Sequence, residues 1–342
     1  MPYANNAGVK IYWEEHGEGE PLLLIMGLGY TMDMWNRTAP VLSESYRTIT
    51  FDNRGVGRSD VPSGPYPIAT MAADAAAVMD SAGVSRAHVF GISMGGMIAQ
   101  EFALQYPERT RSLILGCTSH GGPESVLADA EVITTLMARG TMSVEDGIHA
   151  MIPFIYDPST PRERIEEDLE IRRRTFPTAE GYFAQVQGIF AYESLSRLSE
   201  LRVPTLVVHG ESDRLVPPEN GRRLARLIKG ARLVMIAGAS HIFPTDQPEA
   251  AHEAILGFLA GVSAWLLGAG SMWLAGAVLL GAVVPFTFTA IMPINHELLA
   301  PGRDLSSPET RALLEKWGRL HAVRSVLSLL ASLVFVWLLT VT

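Results

Sequence analysis

A serine flanked by glycines stands where two hydrophobic periodicities meet, and this junction restricts the fold more than any other feature. The segment is Gly91-Ile92-Ser93-Met94-Gly95. Before it, Ala87-His88-Val89-Phe90 is an apolar run of strand length. After it, Gly96 through Leu104 places Met97, Ile98, Phe102 and Ala103 at helical spacing. A serine on so tight a strand-to-helix turn must take a strained backbone conformation, which needs small neighbours where strand and helix approach. The strain pushes the hydroxyl out of the fold. The helix N-terminus beneath it favours developing negative charge.

The surrounding pattern places this turn in an α/β architecture. Over residues 1–120, strands are expected at Val9–Trp13, Leu22–Met26, Arg47–Phe51, Ala87–Phe90 and Ser112–Leu115, with helices such as Met71–Ala82 between them. Such alternation predicts a doubly wound, mostly parallel sheet covered on both faces. From about 121 to 195 the strand signals stop and apolar positions recur at helical spacing, which predicts a helical cap. Strands resume at Thr205–Val208 and Arg232–Ile236, and a helix from Glu249 to about Leu259 closes the domain at about residue 260.

A serine nucleophile needs a base, and the base needs an orienting acid. The loop after Thr205–Val208 reads His209-Gly210-Glu211-Ser212-Asp213, and the loop after Arg232–Ile236 reads Gly238-Ala239-Ser240-His241. Both loops lie at the C-terminal edge of the sheet, where ligands bind in open α/β folds. His241 is the candidate base, and Asp213 or Glu211 the candidate acid. Developing negative charge needs two backbone donors. The Met94 amide, next to the serine, is one. The Leu28 amide, in Gly27-Leu28-Gly29-Tyr30, is the other, because flanking glycines let a backbone approach a substrate. Trp35 is placed either in the pocket wall or in the core.

Residues 1–260 resemble a cap-bearing α/β-hydrolase of the esterase, 3-oxoadipate enol-lactonase and cofactor-free haloperoxidase group. The matching segments are Met26-Gly27-Leu28-Gly29, the run Phe51 to Asp60, Gly91 to Met97, His209 to Asp213 and Gly238 to His241. The resemblance makes Asp213 the acid and gives the chain order Ser93, Asp213, His241. It implies cleavage of a carboxylic ester or lactone through an acyl-enzyme, with no metal or organic cofactor. A perhydrolase or haloperoxidase activity on the same residues is the alternative. Met26 stands where many members carry a histidine, which leaves the backbone donor intact and alters contacts to substrate. The Asp52–Asp60 segment is expected to shape a turn at the site's rim.

Composition separates the last quarter from the rest. A net charge of −9 argues against a nucleic-acid partner, and Cys117, the single cysteine, excludes a disulfide framework. Mean hydropathy is nevertheless +0.18. Its source is local, since no charged residue occurs from Ala254 to Asn295 or from Ser325 to Thr342. Two membrane-spanning helices, about 262–292 and 322–341, are therefore expected within 261–342, forming a transmembrane hairpin. This region resembles the C-terminal half of the anthrone-oxygenase-like family at Pro285-Phe286-Thr287, Pro293-Ile294-Asn295-His296 and Trp317 to Arg324. That family has four spans, so a part for the tail in anthrone-type oxygenation would call for a homodimer through the membrane helices. Arg303, Arg311, Lys316 and Arg319 favour a cytoplasmic connection between the spans. A leaderless first domain favours the opposite orientation. The folded domain is the stronger constraint, so the chain is expected at a membrane with its hydrolase domain on the cytoplasmic side.

Overall fold

The computed structural model describes residues 3–266, 287–300, 303–304 and 306–341. The chain divides into two compact units, Met1–His252 and Glu253–Thr342.

The first unit is built on one eight-stranded sheet. Its strands are β1 (Tyr3–Asn6), β2 (Val9–His16), β3 (Glu20–Ile25), β4 (Tyr46–Phe51), β5 (Ala87–Ile92), β6 (Thr110–Gly116), β7 (Thr205–Gly210) and β8 (Arg232–Ile236). They lie in the order β1-β2-β4-β3-β5-β6-β7-β8. β1, β2 and β4 pair antiparallel, and every other neighbouring pair is parallel. The short strand β1 has no counterpart in the sequence reading, because YANN lacks the β-branched and aromatic alternation of a strand. β5 and β7 are buried at every position, as expected of central parallel strands covered on both faces.

The helix Ile68–Ser81 packs against β1 and against the helix Met94–Gln105. Residues 121–195 carry the helices Ala130–Arg139, Val144–His149, Ile152–Ile155, Arg162–Arg174 and Ala179–Phe190. Three of these begin on a side-chain cap: Asp129 accepts from Val132 N, Ser143 from Asp146 N and Thr178 from Gly181 N. The helix Ala179–Phe190 lies unusually close to the sheet domain. A Cβ on Gly181 would stand 2.1 Å from Gly55 O, and one on Gly188 would stand 2.0 Å from Tyr66 O. Only glycine permits that approach.

In the second unit, the helix Met292–Leu298 carries Asn295, whose Oδ1 accepts from Trp317 Nε1 at 2.8 Å. Trp317 lies on the helix Pro308–Val341, and its ring centroid is 4.1 Å from that of His321. Among the described residues, no helix is long and apolar enough to cross a membrane. Most of the expected first span, 262–292, lies outside the described residues. The expected second span, 322–341, falls on the helix Pro308–Val341, whose side chains are described only as far as residue 334.

Candidate active site

Ser93 sits between β5 and the helix Met94–Gln105 with φ 58° and ψ −123°, a conformation that costs a non-glycine residue of order 1–3 kcal/mol. Neighbouring glycines make the turn sterically feasible. A Cβ on Gly91 would meet Gly95 O at 2.0 Å, and one on Gly95 would meet Ile25 O at 2.1 Å. The turn is pinned on both sides of its peptide: Ser93 N donates to Gly116 O at 2.8 Å, and Thr118 Oγ1 donates to Ser93 O at 2.7 Å.

β7 and β8 deliver the other two candidate residues to the same edge. His241 Nδ1 lies 2.9 Å from Asp213 Oδ2, while Oδ1 of the same carboxylate accepts from the amides of Leu215 and Val216, each at 2.9 Å. Asp213 is buried. Burial alone would raise its pKa, but the facing His241 and the hydrogen bonds from His209 and His241 outweigh it and hold the group at about 2. It is therefore a carboxylate at neutral pH. Glu211, the competing acid of the sequence reading, is exposed. Behind the pair, the Cys117 thiol donates to His241 O at 3.0 Å, and burial pushes its pKa well above the usual thiol value.

Ser93, His241, Leu28, Met94 and Trp35 line one cavity of about 420 Å³. The Met94 amide opens the helix Met94–Gln105, so it has no acceptor within that helix. Leu28 lies on a loop held from two directions: Asn53 Nδ2 donates to Met26 O at 2.8 Å, and Gly29 N donates to Gln185 Oε1 at 2.9 Å. Trp35 lines the cavity and packs on Phe90 with ring centroids 5.0 Å apart. Asp52 anchors the rim turn by accepting from Met32 N and Arg58 N, both at 2.9 Å.

Four supporting residues carry no role in the motif reading. His209 Nε2 lies 3.2 Å from Asp213 Oδ2 and 2.8 Å from Val216 O. Gln185 spans from Gly29 N to Arg54 O. Asp246 accepts from Ser240 N, next to His241, at 2.7 Å and from Thr160 Oγ1 at 2.6 Å. Arg139, on the cap, lines the cavity. Only His209 has a signal, its place directly after the apolar run Thr205–Val208; the others depend on tertiary approach.

This fold, with a strained serine and a His–Asp pair at the C-terminal sheet edge, defines a class. The profile of the alpha/beta hydrolase fold family matches residues 20–140 and 158–248, and the chain belongs to that family. An Azorhizobium caulinodans protein designated provisionally as a carbamate hydrolase is 34% identical over 265 residues, covering 75% of this chain and 98% of its own. A Mycobacterium tuberculosis protein designated provisionally as a non-heme bromoperoxidase is 29% identical over 282 residues, covering 75% and 100%. The crystal structure of the enol-lactonase from Burkholderia xenovorans LB400 aligns with a TM-score of 0.68 at 28% identity, covering 75% of this chain and 99% of that one. Residues 232–334 match the profile of the anthrone oxygenase family.

Proposed function

We propose that this protein is a serine hydrolase that cleaves a carboxylic ester or lactone through an acyl-enzyme. The observation that carries this reading is the 2.9 Å contact of His241 Nδ1 with an ionised Asp213, at a cavity that the strained Ser93 also lines. In the reaction, His241 Nε2 takes the Ser93 proton as Oγ attacks the carbonyl carbon. Asp213 holds Nδ1–H and stabilises the imidazolium that forms. The Leu28 and Met94 amides stabilise the tetrahedral oxyanion. His241 then returns the proton to the leaving alkoxide, and water activated by His241 hydrolyses the acyl-serine.

The test is turnover of an acyl-ester and lactone panel by wild type and Ser93→Ala, with covalent labelling by a fluorophosphonate. Wild type should hydrolyse esters and be labelled, and Ser93→Ala should do neither. A variant that retains turnover would remove the serine mechanism.

We infer further that residues 261–342 tether the hydrolase unit to a bilayer, on its cytoplasmic side, through spans near 262–292 and 322–341. Support comes from the two charge-free stretches and from Val323, Val326, Leu329, Leu330 and Leu333, all exposed on the helix Pro308–Val341. A homodimer through the same helices is part of this reading. The full chain should sediment with membranes, require detergent and run at dimer mass, and protease added outside intact cells should leave the hydrolase unit uncut. A full chain that stays in the soluble fraction would overturn the tether.

A further inference from the structure

The peptide that carries the Leu28 amide is held by its neighbours rather than by its own turn. Its loop passes directly over the nucleophile, since a Cβ on Gly27 would stand 3.1 Å from Ser93 Cβ. The turn bond within the loop, from Tyr30 N to Gly27 O, is long at 3.4 Å. Gly29 takes φ 69°, in the left-handed region. The shape of this loop therefore depends on anchors outside it. One peptide before Leu28 N, Met26 O accepts from Asn53 Nδ2 at 2.8 Å. One peptide after it, Gly29 N donates to Gln185 Oε1 at 2.9 Å.

The two anchors close a ring. Gln185 Nε2 donates to Arg54 O at 2.8 Å, and Arg54 follows Asn53 in the chain. The ring runs along the chain from Met26 to Gly29, across the Gln185 amide to Arg54, and back through Asn53. Arg54 is itself fixed, because its Nε and Nη2 donate to the two oxygens of the buried Asp74 at 2.6 Å each. Gln185 is 0% exposed and both ends of its amide are in use, so it cannot turn without leaving a buried polar group unpaired. It is the ring's one member from the cap. Its helix, Ala179–Phe190, is seated by backbone contact, with Tyr66 N donating to Ala184 O at 3.0 Å.

We propose that Gln185 is a positioning residue of the reaction. By closing this ring from the cap it fixes the Leu28 amide where the oxyanion forms, so the oxyanion hole is complete only while the cap helix is seated. This inference rests on the hydrolase reading for the reaction and on the ring for the role. A donor set in place before the substrate arrives leaves no reorganisation for the moment when charge develops. Without Gln185, Gly29 N loses its acceptor and the Leu28 peptide keeps one anchor of two. The carbonyl of a bound ester draws little on that amide, and the tetrahedral oxyanion draws on it fully. The loss therefore falls on kcat rather than on KM.

The test measures ester turnover and affinity for an alkyl trifluoromethyl ketone, whose hemiketal with Ser93 places an oxyanion in the same hole. Gln185→Met keeps the length of the side chain and removes both bonds. It should lower kcat per fluorophosphonate-titrated site by about 10- to 100-fold, with KM within about twofold. Ketone affinity should weaken by the same factor as kcat/KM. Gln185→Glu offers Gly29 N an acceptor in either protonation state and should recover part of both losses. If Gln185→Met does not fold, Gln185→Asn, which withdraws the amide by one carbon, serves in its place with the same expectation. A folded variant that loses stability while its kcat and ketone affinity stay within about twofold of wild type would overturn the positioning role. A loss confined to KM would overturn it as well. A wild type that neither turns over an ester nor captures the ketone would instead overturn the hydrolase reading, and this role with it.

Discussion

His209 Nε2 and Asp213 Oδ2 lie 3.2 Å apart, so one carboxylate oxygen faces two histidines, with His241 on its other approach. Because Nε2 also lies 2.8 Å from Val216 O, the proton on His209 is assigned to that nitrogen, where it is shared between a carbonyl and the carboxylate. Nδ1 is left buried and unpartnered, beside Gly221, where a Cβ would stand 2.6 Å from it. His209 thus positions the acid rather than touching substrate. His209→Gln should lower kcat about 10-fold with little change in KM, because a hydrogen bond to a charged group contributes roughly 1.5–3 kcal/mol. The acidic limb of the pH–rate profile should move with it if Asp213 loses support. A variant with wild-type kcat and an unmoved profile would reduce His209 to packing.

Asp213→Asn should be far more damaging than Glu211→Gln. Asparagine presents His241 with the wrong partner and tautomer, a change that costs up to about 10⁴-fold in turnover in serine proteases. Glu211 is exposed, so its replacement should stay within about twofold. Steady-state kinetics on the two purified variants decides the matter, and a larger loss at Glu211 would reassign the acid.

Gly95→Ala and Gly257→Ala should move stability in opposite directions. A methyl at Gly95 would stand 2.1 Å from Ile25 O, in backbone that cannot yield without displacing β3. At Gly257, on the helix Pro248–Leu266, nothing lies within 4 Å of the added carbon. Denaturant unfolding should show a loss of at least ~3 kcal/mol at Gly95, or failure to fold. At Gly257 the helix propensity difference predicts a gain of about 0.5–1 kcal/mol. A neutral Gly95→Ala would mean that the serine turn tolerates a wider strand-to-helix spacing than this structure has.

Asp246 gives stability a pH dependence of its own. Burial raises its pKa to about 6, against the hydrogen bonds from Thr160, Ser240 and Asp157 that favour the carboxylate. Since the folded value lies above the ordinary 3.8, the folded state holds the proton more tightly than the unfolded chain between those two pH values. The contribution is complete below about pH 3.8 and is lost as pH rises through about 6, by ~3 kcal/mol at most. Asp246→Asn should flatten that part of the stability profile, measured by urea midpoints from pH 4 to pH 7. A mutant curve parallel to wild type would show that Asp246 does not titrate there.

The polarity of β3 to β8 and the order Ser93, Asp213, His241 are readable along the chain because local periodicity and turn residues carry them. What surrounds them is not. In the helix Ala179–Phe190, Gly181, Gln185 and Gly188 stand at i, i+4 and i+7, a stripe that meets Gly55, Gly29 and Tyr66. Small residues at helical spacing signal a close approach but not what is approached. Arg139 is harder still, since an arginine at the end of an amphipathic helix reads as a solvated C-terminal charge. Its burial comes from Tyr30, Phe176 and Tyr182, which lie far apart in sequence. The start of the helix Met94–Gln105 is also earlier than spacing suggests, because the turn at Ser93 has already set Met94 into helical geometry.

The buried thiol beneath His241 has a practical consequence. Cys117 is the chain's single sulfhydryl, fully enclosed, and its proton is held against ionisation by burial. A disulfide-exchange reagent can reach it only when the strands around it part. The time course of its modification is therefore a clock for opening of the central sheet, built into the natural sequence and needing no introduced label.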